Sequence, residues 1–87
     1  MRYFELLGAV IEEFGEGERL INAAEDLTGL QVELFRWRRG HRDPDKIAEL
    51  IGAVYVALDE VELITGTHAA AAAAQKRRVN TLREAVK

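Results

Sequence analysis

The segment Lys46–Thr65, KIAELIGAVYVALDEVELIT, constrains the fold more than any other part of the chain. Its apolar side chains recur at spacings of three and four, which is the pattern of a buried helical face. No residue between Glu49 and Asp59 is charged. A helix that is apolar on nearly every side belongs at the centre of a packed assembly. The predicted inner face consists of Ile47, Leu50, Ile51, Val54, Leu58 and Val61.

Three further helices are predicted around this central one, so the expected fold class is all-α with about four helices. The first covers Tyr3–Phe14, and the glycines of Gly15–Gly17 end it. The second runs from about Glu18 to Arg39 and stops before Gly40. Its expected buried stripe comprises Leu20, Ala24, Leu27, Leu34 and Phe35, widened by Ile21 and Leu30.

The starts of the last two helices carry capping signals. Asp43 is expected to cap the central helix, with Pro44 in its first turn. Thr67 is expected to cap the last helix, which contains six alanines in a row and only a thin apolar stripe. We therefore expect the last helix to be the least firmly held. No strand pattern is present in the sequence.

The 87-residue length predicts a single domain over residues 1–87. A domain of this size buries only a limited fraction of its surface on folding, and without cysteine it has no disulfides to stabilise it. We therefore predict a helical bundle completed by homo-oligomerisation, as a dimer or tetramer. The net charge of −3 disfavours nucleic acid and anionic membrane as partners. A cytoplasmic location is the simplest expectation.

Three segments together resemble a known family: FGEGERLINAAEDLTGLQVELFRWRRG, then KIAELIGAVYVALDEVELITG, then QKRRVNTLREAVK. They resemble small MazG-like nucleoside triphosphate pyrophosphohydrolases, including the short phage-type members. The resemblance covers nearly the whole chain. It implies an all-α oligomer that cleaves nucleoside triphosphates to monophosphate and pyrophosphate with magnesium.

In that family the magnesium ligands are an ExxE motif on one helix and an ExxD motif on the next long helix. Positions three apart share a helix face, so two such pairs create a cluster of oxygen donors that suits Mg²⁺. The resemblance places the first motif on Asp26-Leu27-Thr28-Gly29 and the second on Leu50-Ile51-Gly52-Ala53. Only Asp26 keeps a carboxylate, because Gly29, Leu50 and Ala53 offer no side-chain oxygen.

The resemblance and these replacements predict a pseudoenzyme: a MazG-like domain that has lost its metal site and needs no cofactor. Its expected function is binding or regulation, with a protein partner or an uncleaved nucleotide. One alternative is an active enzyme whose magnesium is held by Glu25, Asp26 and Glu49. A second alternative is a purely structural oligomerisation module.

Several cations also match basic positions of the family, where they can meet phosphate. Arg36 and Arg39 lie near the end of the second helix, and Arg78 lies on the last helix. The competing interpretation is that the first two complement the helix dipole and that the third is a surface charge. The run RWRRGHR invites a nucleic-acid interpretation, which the short patch and the negative net charge disfavour.

Overall fold

The computed structural model describes residues 1–86, and this part of the chain is all-α. Lys87, the last residue of the predicted single domain, lies outside the described residues. Four helices follow one another with short connections. Their bounds are α1 Tyr3–Phe14, α2 Glu16–Arg38, α3 Pro44–Thr65 and α4 His68–Ala85.

The boundaries follow local backbone chemistry. Gly15 alone separates α1 from α2, with a φ of 90° that favours glycine. The expected break over Gly15–Gly17 is therefore too long, because Gly17 already lies inside α2. Gly66 ends α3 in the left-handed conformation, with a φ of 66°.

The two expected N-caps differ in outcome. The Asp43 side chain accepts a hydrogen bond of 3.1 Å from the backbone N–H of Lys46, which confirms the predicted cap of α3. Thr67 does occupy the N-cap position of α4, but its hydroxyl caps nothing. It lies 2.7 Å from the hydroxyl of Thr65 instead. Thr65 in turn donates to the carbonyl of Val61, within α3.

Helix α3 is the centre of the fold, as its composition predicted. It is the one helix of the described chain that contacts all the other three, and α4 packs against α3 alone. No residue of α4 is buried, in keeping with its expected weak attachment. The buried apolar side chains of the described residues are few and mostly small: Leu7, Ala23, Val54 and Ala57.

The expected buried stripe of α2 is wrong. The side of α2 that packs inward carries Ala23, with the half-buried Asp26, Leu30 and Glu33 beside it. The larger members of the expected stripe remain substantially exposed: Leu20, Leu27, Leu34 and Phe35. The inner face of α3 is shifted in the same way, because Ala57 is buried whereas Leu58 is exposed. Small residues at the helix contact leave the larger apolar side chains outside.

The surface of the chain is larger than that of a compact monomer. Its accessible area is 6897 Å², whereas a compact monomer of this mass is expected to expose about 5,100 Å². The radius of gyration is 15.6 Å, compared with about 12 Å for a compact chain of this length. Large apolar side chains contribute to this surface, as the outward side of α2 illustrates.

Over residues 1–86, no helix has both the length and the apolar character that crossing a membrane requires.

Removing the α3 cap tests the origin of this helix start. We expect Asp43→Ala to lower the free energy of unfolding by about 1 kcal/mol, because the N–H of Lys46 loses its acceptor. Asp45→Ala is the matched control, since Asp45 lies in the same turn but makes no capping bond. Chemical denaturation followed by circular dichroism measures both. Equal losses in the two variants would contradict a specific role for the cap.

Candidate functional site

The site suggested by the sequence lies between α2 and α3, and two contacts fix how these helices are aligned. Arg19 forms an ion pair with Glu60, and Gly29 lies against Leu50. From the first contact to the second, α2 advances by ten residues, from Arg19 to Gly29. Over the same distance α3 goes back by ten residues, from Glu60 to Leu50. This is the register of an antiparallel helix pair, and it determines which positions face one another.

The Arg19–Glu60 pair is a two-pronged contact of a guanidinium with a carboxylate. Arg19 donates from Nε to Oε2 and from a terminal nitrogen to Oε1, each at 3.0 Å. Glu60 is 3% exposed, whereas Arg19 is 24% exposed. Planar bidentate pairing of this kind is among the strongest of protein hydrogen-bonding arrangements. The Arg19 guanidinium gives the buried Glu60 carboxylate a partner of opposite charge. Without that partner, burying the carboxylate would be costly in free energy.

Sequence reasoning missed this pair. The two residues lie 41 positions apart, and neither belongs to a motif. The available signal was that Glu60 lies three residues after Ala57, on the side of α3 that also carries Val54. A carboxylate on the inner side of an apolar helix requires a cationic partner, but the sequence does not say which of the 12 basic residues supplies it.

The four positions that the resemblance assigns to metal ligands lie at the α2–α3 contact. Asp26, Gly29, Leu50 and Ala53 are all half-buried. The register that places Gly29 beside Leu50 also places Asp26 level with Ala53. A Cβ added at residue 29 would lie 3.2 Å from Cδ2 of Leu50, which is closer than ordinary packing. The side chain of Leu50 therefore occupies the space into which a larger residue at position 29 would project.

The carboxylates of the alternative enzyme set are placed differently. Glu25 and Glu49 are exposed, whereas Asp26 is half-buried. Among residues 1–86, no group of three or more His, Cys, Asp or Glu side chains is arranged to hold a metal ion. The structure therefore does not assemble Glu25, Asp26 and Glu49 into a three-ligand cluster.

The candidate phosphate-binding cations are exposed and separated. Nε of Arg36 lies 3.5 Å from a carboxylate oxygen of Glu33, one turn away on α2. Glu33 is half-buried, and it is one of the polar residues on the side of α2 that packs inward. Arg39 ends α2 as its C-cap residue, and its N–H bonds to carbonyls of the last turn. Arg78 lies on α4, which does not contact α2. The structure therefore forms no single pocket from these three arginines.

The basic segment after α2 is partly ordered by an aromatic contact. The guanidinium of Arg42 lies over the indole ring of Trp37, 5.6 Å from its centroid. This distance is within the range of a cation–π interaction. The contact connects the end of α2 to the turn before α3.

The opposite end of α3 carries a second polar cluster, where α1, α3 and α4 meet. The hydroxyl of Tyr3 donates a 2.6 Å hydrogen bond to Oδ2 of Asp59. This bond, with smaller effects from burial and from the charges of Asp59 and Glu60, raises the pKa of Tyr3 to about 12. Nδ1 of His68 lies 2.7 Å from Oε2 of Glu62. That hydrogen bond and the charge of Glu62 raise the pKa of His68.

A shallow groove of about 320 Å³ lies beside this cluster. Its surface is formed by two apolar side chains, Phe4 and Leu63, together with three polar ones, Asp59, Glu62 and His68. Each of the three polar side chains already has a partner: Tyr3 for Asp59, and each other for Glu62 and His68. The cluster therefore ties the first turns of α1 and α4 to the end of α3.

No protein-family model, curated protein or solved structure was found to match this chain.

The unequal exposure of the Arg19–Glu60 pair leads to an unequal mutational effect. Arg19→Met should lower the free energy of unfolding by about 3 kcal/mol, because it leaves a buried carboxylate without its partner. Glu60→Met should cost less, because the remaining Arg19 guanidinium can reach water. The double variant should be more stable than Arg19→Met alone. Urea denaturation of all four proteins gives the comparison, and additive losses would contradict direct coupling.

The bond between Tyr3 and Asp59 can be tested by titration. A folded-state pKa of about 12 against the ordinary value of 10 means that this bond stabilises the fold fully below pH 10. The stabilisation is then lost as the pH rises towards 12. In a Tyr55→Phe background, which leaves Tyr3 as the sole tyrosine, Asp59→Asn should lower the pKa of Tyr3 towards 10. Ultraviolet absorbance reports the ionisation directly. An unchanged midpoint would show that Asp59 does not hold the phenol.

Proposed function

We propose that this chain is a non-catalytic, MazG-like binding domain that acts as a homo-oligomer. In this proposal, apolar packing replaces the magnesium site of the nucleoside triphosphate pyrophosphohydrolases that the sequence resembles. The observation that carries the proposal is the contact between Gly29 and Leu50. These are two of the positions at which the resemblance would require metal-binding carboxylates.

The physical reason is the nature of the atoms at the contact. Magnesium takes oxygen ligands in near-octahedral geometry, and of the four positions only Asp26 has a side-chain oxygen. Leu50 does more than lack a carboxylate, because its Cδ2 occupies the space beside Gly29. A carboxylate introduced at position 29 would have to displace that side chain. In this proposal, the close packing of Leu50 against Gly29 stabilises the α2–α3 contact. In an active enzyme, a bound cation between carboxylates would do so.

The exposed apolar surface supports binding of a protein rather than of a small charged molecule. The area beyond that of a compact monomer is about 1,800 Å² per chain. Obligate dimers commonly bury from about 2,000 to 5,000 Å² in total, so self-association could cover it. An uncleaved nucleotide is the other ligand class, with Arg36, Arg39 or Arg78 as single phosphate contacts. A structural oligomerisation module is the second candidate function, and the same exposed apolar surface favours it.

Catalysis and nucleotide binding can be measured separately. We expect no Mg²⁺-dependent release of pyrophosphate from any of the common nucleoside triphosphates by the purified full-length chain. Measurable release would overturn the proposal, and loss of that release in Asp26→Ala would then support the Glu25, Asp26 and Glu49 set. Calorimetric titration with the same nucleotides distinguishes a nucleotide-binding domain from a structural module, which would give no heat of binding.

Restoring the absent carboxylates tests the positions themselves. The variant Gly29→Glu/Leu50→Glu/Ala53→Asp recreates the two motifs beside Asp26, and we expect it to bind Mn²⁺ in calorimetry where the unmodified chain does not. The control Thr28→Glu/Ala48→Asp/Gly52→Glu adds equal charge at exposed positions of the same helices. If the restored variant folds and binds no better than the control, the assignment of the four positions is wrong.

A further inference from the structure

The outward side of α2 carries a narrow row of leucines that no other part of the described chain covers. Leu20, Leu27 and Leu34 are 38%, 44% and 55% exposed. With 100° between successive residues, the three side chains lie within about 40° of one another. They are spaced seven residues apart, which is the repeat by which helices pair along a common seam.

Opposite charges stand at the two ends of this row. Glu16 precedes Leu20 by four residues, and Arg38 follows Leu34 by four. Both lie on the same side of α2 as the leucines, and both are exposed. Within residues 1–86 neither makes an ion pair. The spacing along the row is therefore four, seven, seven and four residues, which is the same in either direction, while the charge changes sign from end to end.

We propose that a second copy of this chain packs its α2 antiparallel to the first along this row. Leu27 of both copies then lies near the two-fold axis, and Leu20 of each packs beside Leu34 of the other. Glu16 of each copy pairs with Arg38 of the other. A two-fold interface requires a surface that complements itself, and a row with symmetric spacing and opposite end charges meets that requirement. The inference deepens the proposed function, because it rests on the self-association proposed there.

The alternative two-fold packing, with α2 of one copy on α3 of the other, is disfavoured by charge. The Arg19–Glu60 contact places the start of α2 beside the end of α3. That packing would bring Glu16 of one copy towards Asp59 and Glu62 of the other, and like charges at an interface are costly.

Helix α3 also carries exposed apolar side chains at the levels of this row. Given the antiparallel register of the two helices, Leu58 of α3 is level with Ile21 of α2 and Tyr55 is level with Ala24. Leu58 and Tyr55 are 44% and 67% exposed. Both helices of the hairpin therefore leave large apolar side chains exposed, and pairing with a second copy would give a four-helix arrangement.

Charge reversal tests the pairing. We expect the unmodified full chain to be a dimer in sedimentation at micromolar concentration. Glu16→Arg alone and Arg38→Glu alone should each weaken the dimer by about tenfold or more, since two attractive contacts become repulsive in each. An equimolar mixture of the two variants should dimerise as the unmodified chain does, because each introduced charge then meets its opposite in the other copy.

A matched pair on α2 tests the apolar row. Leu27→Asp should abolish dimerisation over the same concentration range, because two carboxylates would meet near the axis. Val32→Asp is the control, since Val32 is 50% exposed and lies about 140° around the helix from Leu27. Circular dichroism should show unchanged helix content in both variants, because neither side chain is buried in the single chain.

The outcomes separate this interface from the wider proposal. Dimerisation of the unmodified chain with restoration in the mixture supports the antiparallel pairing. If both charge-reversal variants dimerise as the unmodified chain does, or if their mixture does not dimerise, the antiparallel pairing is wrong. Self-association by another interface would then remain possible. A monomeric unmodified chain overturns both and assigns the leucine row to a different protein partner.

Discussion

The register between α2 and α3 is the constraint on which the rest of the structure depends. It is set at one end by the Arg19–Glu60 ion pair and further along by the close fit of Leu50 against Gly29. Once these helices are aligned, the faces available to α1 and α4 are determined, since both contact α3. A buried carboxylate that requires its one cationic partner fixes alignment more strictly than apolar contact does, because apolar side chains tolerate displacement along a helix.

The small residues at the helix contact have a consequence for the whole surface. With Ala23, Gly29 and Ala57 on the inner sides, the two helices can approach closely. The larger apolar residues are then left on the outer sides, and the core of the single chain remains small. Burial of apolar area is the main favourable term in folding, so a chain that leaves this much exposed gains from covering it. The inferred helix pairing would supply the missing burial.

The candidate site illustrates how one packing solution can replace another at the same place. Positions 26, 29, 50 and 53 are half-buried at the contact of the two helices, where Gly29 lies against Leu50. Leucine beside glycine stabilises the contact by shape complementarity instead, and it avoids the repulsion that carboxylates without a cation would experience. Our proposal of binding rather than hydrolysis is based on this contact.

The sequence by itself determined the four helices, the start and end of α3 and its central place, because Asp43-Pro44 and Gly66 act on their own neighbours in the chain. The resemblance assigned four positions to one site, and they lie at the α2–α3 contact, but their role remains a proposal. Only the tertiary structure decided which side of α2 turns inward. Helical periodicity predicted the leucine row as core, but α2 has a second side of small and polar residues that fits α3 better. The pairing of Arg19 with Glu60 was likewise invisible, because a contact between residues 41 positions apart exists only once the helices are packed.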